Sequence, residues 1–163
     1  MTQEQQIRFI PLETWYKLAC EDAAPPVTIP LEGDSMRPLI RRGVDKVTIA
    51  PLTRALKVGD IVLFKAGPTR FVVHRVQALR DGMVRTLGDN CLYSDGWLPL
   101  ENIWGLVVRM KRDGRTYALD TALSRVWGRL WMITLPMRRV YRHCRQLAAR
   151  CYRKVFRNVI ERR

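Results

Sequence analysis

Apolar residues along this chain change their spacing twice, and each change predicts a different kind of structure. Over 11–21, Leu12, Trp15, Tyr16 and Ala19 recur at i, i+3, i+4 and i+7, and Leu18 widens the same face. That spacing predicts a short amphipathic helix, with Pro11 near its start and Ala23-Ala24-Pro25-Pro26 as its stop. From 27 to 119 the apolar residues fall into short β-branched runs, at 27–31, 46–50, 61–65, 71–79, 83–87, 103–111 and 116–119. Turn chemistry separates them: Arg42-Gly43, Val58-Gly59-Asp60, Gly67-Pro68, Asp81-Gly82 and Asp113-Gly114. Asp81-Gly82 and Asp113-Gly114 stand directly between runs and predict tight hairpins. A helical period returns after 121. Val126, Trp127, Leu130, Trp131 and Ile133 precede Pro136; Met137, Tyr141, Cys144, Ala148, Cys151 and Val155 follow it at alternating four and three. Pro136 predicts a kink or break between two helices. The expected architecture is mainly β, a curled sheet or small barrel. Its parts are a helix and linker over 1–26, a β domain over 27–120 and a basic helical tail over 121–163.

Charge sharpens the division between body and tail. The net charge is +14, and twelve of the 29 basic residues but one of the 15 acidic ones, Glu161, lie from Thr121 onward. The tail therefore carries +11 and the preceding 120 residues +3. Apolar content of 47% and charged content of 27% are those of a globular chain and exclude wholesale disorder. Four cysteines, Cys20, Cys91, Cys144 and Cys151, form no CxxC pair, and with two histidines they give no structural zinc pattern. On one helix Cys144 and Cys151 would stand about 10 Å apart along the axis, too far to bridge. Four reduced thiols are expected. Residues 1–10 lack a basic start and an apolar stretch, so they do not read as a signal peptide. The apolar-leaning stretch 126–137 is broken by Gly128, Arg129 and Pro136 and falls short of the roughly 20 residues of a membrane span. The expected location is the cytoplasm or the periphery of a membrane.

Four segments of the β region carry candidate chemistry. Gly33-Asp34-Ser35-Met36-Arg37-Pro38 puts a serine on irregular backbone after a strand. Gly59-Asp60-Ile61-Val62 is a turn entering a strand, Val73-His74-Arg75-Val76 a histidine flanked by valines, and Gly88-Asp89-Asn90 a turn with Asp95 seven residues after its glycine. In this order and spacing, over about 27–110, the chain resembles type I signal peptidases of the signal-peptidase and SOS-repressor clan. The resemblance is especially to the Ser/His subtype of archaea and the endoplasmic reticulum. Those proteins show a Gly-x-Ser-Met-x-Pro nucleophile box, a Gly-Asp-Ile-Val strand, a Val-His-Arg-Val box, and Gly-Asp-Asn followed by a second Asp.

The chemistry such boxes need is specific. A serine hydroxyl is a weak nucleophile until a base takes its proton, and an imidazole can do so at neutral pH. A carboxylate on the far ring nitrogen fixes the tautomer and stabilises the imidazolium. Ser35, His74 and an aspartate supply these roles. The resemblance favours Asp95 over Asp89, position being the only ground, and leaves Asp89 a supporting role in the 88–90 turn. Lysine-type relatives place a lysine at the base position; here Arg75 follows His74, and arginine stays protonated. Gly33 stands where many of those relatives carry a hydroxyl, so oxyanion donors are expected from the backbone, the Ser35 N–H first. The resemblance implies an endopeptidase that cuts a signal or leader peptide after small residues, with no metal or organic cofactor. A rival reading is a degenerate copy of that fold serving as a peptide-, lipid- or nucleic-acid-binding module.

Two features depart from the family pattern. Only 34 residues precede Ser35 and none forms a span, which also leaves no room for a helix-turn-helix domain. The basic tail lies outside the family's common core. Trp127, Leu130 and Trp131 beside many arginines fit an interfacial helix on anionic lipid. A helical pair packed on the β body with a solvated basic face is the next reading, and nucleic-acid phosphates or an acidic leader peptide are a less favoured target of the same arginines.

Overall fold

The computed structural model describes residues 11–20, 24–67 and 70–160, giving only the backbone of 151 and 154–160. The expectations resting on 1–10, Glu21, Ala23, Pro68 and Glu161, and on the Cys151 and Val155 side chains, lie outside the described residues. The architecture is mixed α/β: an eight-stranded antiparallel sheet, one short helix before it and two helices after it. In chain order the elements are α1 (Leu12–Cys20), β1 (Val27–Pro30), β2 (Lys46–Ala50), β3 (Ile61–Lys65), β4 (Phe71–Arg80) and β5 (Met83–Leu87). Then come β6 (Trp97–Pro99), a 3-10 turn (Leu100–Asn102), β7 (Ile103–Arg112), β8 (Arg115–Ala118), α2 (Ala122–Ile133) and α3 (Leu135–Ile160).

The strands run β1-β2-β7-β3-β4-β5-β6, with β8 paired to β7. β1 and β6 end the sheet without meeting, so it is neither closed nor strongly curled. This corrects the expected curled sheet or small barrel. Both end strands are short and finish in a proline, Pro30 or Pro99, which has no N–H to extend a ladder. β6 itself escaped the sequence reading, because three residues ending in proline show no alternation. Both expected hairpins form: Asp81 and Gly82 have φ of 46° and 72°, and Asp113 and Gly114 have 48° and 78°. Two successive left-handed residues make the primed turn that suits the twist of paired strands.

The central strands are buried on both faces. Ile61 and Leu63 of β3 join Trp15, Met36, Ile40 and Val73 in one cluster, and Val62 and Phe64 join Val76, Ile103 and Leu106 in another. α1 is held on the first cluster by Trp15, which is 1% exposed and donates from Nε1 to the Pro25 carbonyl at 2.7 Å. Gly105 makes room for it. A Cβ there would stand 2.6 Å from Ile49 Cγ2 and 3.0 Å from the Trp15 ring.

The tail begins as packed structure. The Thr121 hydroxyl caps α2, accepting from the Ser124 N–H at 3.1 Å. α2 lies across Gly59 and Arg75: a Cβ at Gly59 would meet the Arg125 carbonyl at 2.7 Å, and one at Gly128 would meet Arg75 Nη1 at 2.4 Å. The helices part at Thr134, and Pro136 occupies the first turn of α3, where a missing N–H leaves no bond unmade. Beyond Arg142, residues 143–150 are exposed all round. Among the described residues no helix is long and apolar enough to cross a membrane.

Two buried carboxylates tie the loops to the sheet and set an acid limit on stability. Hydrogen bonds from Arg112 hold the Asp45 carboxyl below its usual range, against the effect of burial. Burial works against ionisation of Asp60, but the Arg54 fork, the Lys57 N–H and Arg125 outweigh it and keep its pKa low. Both folded-state values lie below the unfolded ones. The stabilisation is therefore complete above the unfolded carboxylate range and is lost as pH falls through the folded values. Urea unfolding should show a clear loss of stability below about pH 4, and equal stability at pH 3 and pH 7 would contradict these roles.

Candidate active site

The site is assembled from four pieces of backbone that one glycine brings together. β4 carries His74 and β5 carries Thr86 beside it in the sheet, with Val76 opposite Thr86 in register. After β5 the chain turns at Gly88 and comes back, and the Asp95 N–H donates to the Thr86 carbonyl at 3.0 Å. The turn that carries Ser35, 33–38, docks on this loop: the Asn90 N–H donates to the Ser35 carbonyl at 2.7 Å, and Asn90 Nδ2 donates to the Asp34 carbonyl at 3.1 Å. Gly88 is the point of closest approach. A Cβ there would stand 2.8 Å from the Ser35 carbonyl oxygen, 2.9 Å from His74 Nε2 and 2.7 Å from Cys91 Sγ. The Ser35 backbone and the Nε2 edge of His74 thus flank one small gap that no side chain at 88 would leave open.

The two aspartates are engaged in different ways. His74 Nδ1 pairs with Asp95 Oδ2 at 2.7 Å, and the Thr86 hydroxyl donates to the same oxygen at 2.7 Å. Burial works to raise the Asp95 pKa, but the hydrogen bonds from His74 and Thr86 outweigh it and hold the carboxyl below its usual range. An ionised carboxylate only accepts, so His74 Nδ1 carries a proton, and the neutral tautomer this selects has its lone pair on Nε2. The imidazole is 7% exposed, with its ring edge-on to Phe64 at 6.0 Å. Asp89 faces elsewhere. Its two oxygens accept from Arg75 Nε and Nη2 at 2.8 Å each, in a pair with both side chains buried, and Arg75 Nη1 reaches the Gly59 carbonyl at 2.8 Å. Among the described residues no hydrogen bond joins the Ser35 hydroxyl to His74, and nothing accepts from the Ser35 N–H.

Three partners of this arrangement were not singled out for these positions in the sequence. Thr86 is an ordinary strand threonine until the return of Asp95 places a carboxylate on it. Arg75 was noted only as unfit to be a base, whereas it clamps Asp89 and supports α2 through Gly128. Cys91 reads as one of four scattered thiols, and it stands at the Gly88 gap with its pKa raised by burial and by Asp95. The tail also reaches the site. Trp131 Nε1 donates to the Asp89 carbonyl at 2.7 Å, and Arg142 donates to the Asn90 carbonyl at 3.0 Å. Trp131 is thus turned toward the 88–90 loop and is not free to lie outward beside Trp127. Among the described residues there is no group of three His, Cys, Asp or Glu side chains suited to a metal ion. No family model matches the chain, and no curated protein matches it.

Proposed function

We propose that this chain is a serine endopeptidase with a signal-peptidase-like fold, cleaving a signal or leader peptide after small residues. The observation that carries the reading is the His74–Asp95 hydrogen bond at 2.7 Å, with the opposite ring nitrogen at the Ser35 turn across Gly88. In this scheme Nε2 takes the Ser35 proton as Oγ attacks the scissile carbonyl, and Asp95 stabilises the imidazolium. His74 then protonates the leaving amine, leaving an acyl-enzyme on Ser35. Water activated by His74 hydrolyses that ester and restores the enzyme. The Ser35 N–H, which no group among the described residues accepts from, is the donor for the oxyanion. Catalytic hydrogen bonds are often long before substrate binds, so the open Ser35–His74 pair is compatible with this role. The test is cleavage of a peptide library with small residues at the cut, read by mass spectrometry, in wild type and Ser35→Ala. If Ser35→Ala cuts equally well the reading falls; if neither protein cuts while the library binds, the binding-module alternative takes its place.

The same tail helices support a second part of the reading, attachment to an anionic membrane surface. Leu123, Trp127, Leu130, Ile133 and Met137 form an outward ridge at helical spacing, each more than half exposed, across α2 and the start of α3. Ridges of this kind seat at the headgroup boundary, and surrounding arginines add attraction to acidic lipid. The full chain should bind phosphatidylglycerol-containing vesicles and bind phosphatidylcholine ones weakly, with added salt weakening the first. Trp127→Ala with Leu130→Ala should reduce the binding that remains at high salt, where apolar burial is the main attraction. Tighter binding to nucleic acid than to acidic vesicles at the same salt would remove the lipid reading.

A further inference from the structure

We propose that an arginine-lined cleft beside Ser35 is a specificity subsite for an acidic side chain of the peptide substrate. The inference deepens the peptidase reading and rests on it. The cleft, of about 530 Å³, runs between the nucleophile turn and the inner side of α2 and α3. Arg37 lines it from the turn, and Arg138, Arg142 and Arg145 line it from α3, at i, i+4 and i+7 on one helix face. Against these four guanidinium groups the lining holds one carboxylate, Asp34, which sits 3.5 Å from Arg37.

Arg138 and Arg142 are held in place by acceptors that do not neutralise them. Arg138 donates to the Asp89 and Trp131 carbonyls and the Thr134 hydroxyl, and Arg142 to the carbonyl and side chain of Asn90. None of these acceptors is a carboxylate. Burial lowers the Arg138 pKa; Asp89 opposes that and the neighbouring Arg142 charge adds to it. Cations crowded on one face of α3, with no carboxylate hydrogen-bonded to Arg138 or Arg142 among the described residues, favour an anionic guest. A guanidinium offers a carboxylate two parallel N–H donors, which gives geometry as well as attraction. Trp131 and Tyr141 line the same cleft and can pack the methylenes of a glutamate.

The place of the cleft favours a peptide over a lipid headgroup. It is walled by Asp34, Arg37 and Pro38 on either side of the proposed nucleophile, and by Asn90, whose N–H holds the Ser35 carbonyl. Ser35 itself does not line the cleft, but a side chain of a peptide bound at the Ser35 turn is close enough to enter it. None of the outward ridge residues Leu123, Trp127, Leu130, Ile133 and Met137 lines it.

The experiment uses the full chain. Fluorescent peptides sharing one small-residue core and flanked by Glu, Gln or Lys are titrated against Ser35→Ala, which binds without turnover. The Glu peptide should bind at least about tenfold more tightly than the Gln peptide. Adding Arg145→Glu, at an exposed position that leaves the fold intact, should reduce that preference to about twofold or less and improve binding of the Lys peptide. On the enzyme with Ser35 present, Arg145→Glu should act mainly through KM for the Glu peptide. Equal binding of Glu and Gln peptides, or a Glu preference unchanged by Arg145→Glu, would overturn the proposal. Displacement of the Glu peptide by phosphatidylglycerol vesicles from both the Ser35→Ala protein and its Trp127→Ala/Leu130→Ala form would make the cleft a headgroup site and also overturn it. Arg145-dependent Glu binding without any cleavage would uphold the acidic-peptide site and sink the peptidase reading. Cleavage by Ser35 with no charge preference would do the reverse.

Discussion

Ser35→Ala and His74→Ala should each lower kcat by about six orders of magnitude on a cleaved peptide, and the double variant should be no worse than either. Nucleophile and base act as one unit, so removing either removes the whole pathway. Thermal unfolding should separate this from a loss of fold. Ser35 contributes one half-buried hydroxyl with no hydrogen-bond partner among the described residues, and its loss should shift stability by less than about 1 kcal/mol. His74 is buried, and His74→Ala opens a cavity beside Phe64, so His74→Gln serves as the less disruptive companion. Full activity in either Ser35→Ala or both His74 variants would remove the catalytic assignment.

The second large effect divides the two aspartates. Asp95→Asn should lower kcat/KM by about 10³- to 10⁴-fold with a smaller loss of stability than Asp89→Asn. An amide there offers an N–H to Nδ1 and turns the imidazole toward the wrong tautomer. Asp89→Asn should act on the fold instead. It leaves Arg75, fully buried, facing one carbonyl and one amide where it had a carboxylate, and removing one partner of such a pair costs about 3–5 kcal/mol. Unfolding curves and kinetics on the same two variants give the crossed pattern. Large losses of activity at Asp89 and of stability at Asp95 would exchange their roles.

The parts of the fold readable from sequence were those that local chemistry decides. Strands 46–50, 61–65 and 83–87 match their observed bounds, because turn residues with obligatory backbone geometry frame them. The Asp-Gly hairpins and the break before Pro136 follow from the same cause. Pairing across long separations was not readable. Period-two alternation says that 46–50 is a strand, but not that it lies between β1 and β7 in an open sheet. The site divides along the same line. Ser35, His74, Asp89 and Asp95 could be named from their boxes, since each box is a run of neighbours. Which aspartate stands against the imidazole depends on Arg75 binding Asp89 and on Thr86 receiving Asp95. Those contacts join residues 14 and 9 positions apart, and no spacing rule encodes them. Trp131 shows the limit from the other side: its helical position fits an outward face beside Trp127, yet its Nε1 is spent on the Asp89 carbonyl.

The most direct measurement traps the covalent intermediate. A small-residue peptide ester acylates a serine enzyme faster than the acyl group is released, so mixing followed by an acid quench preserves the adduct. Intact mass followed by peptide mapping then locates it. The account predicts one acyl group on Ser35 in the wild-type chain and none in Ser35→Ala. An adduct on Cys91, whose sulfur shares the Gly88 gap, or turnover with Ser35 unmodified, would contradict it.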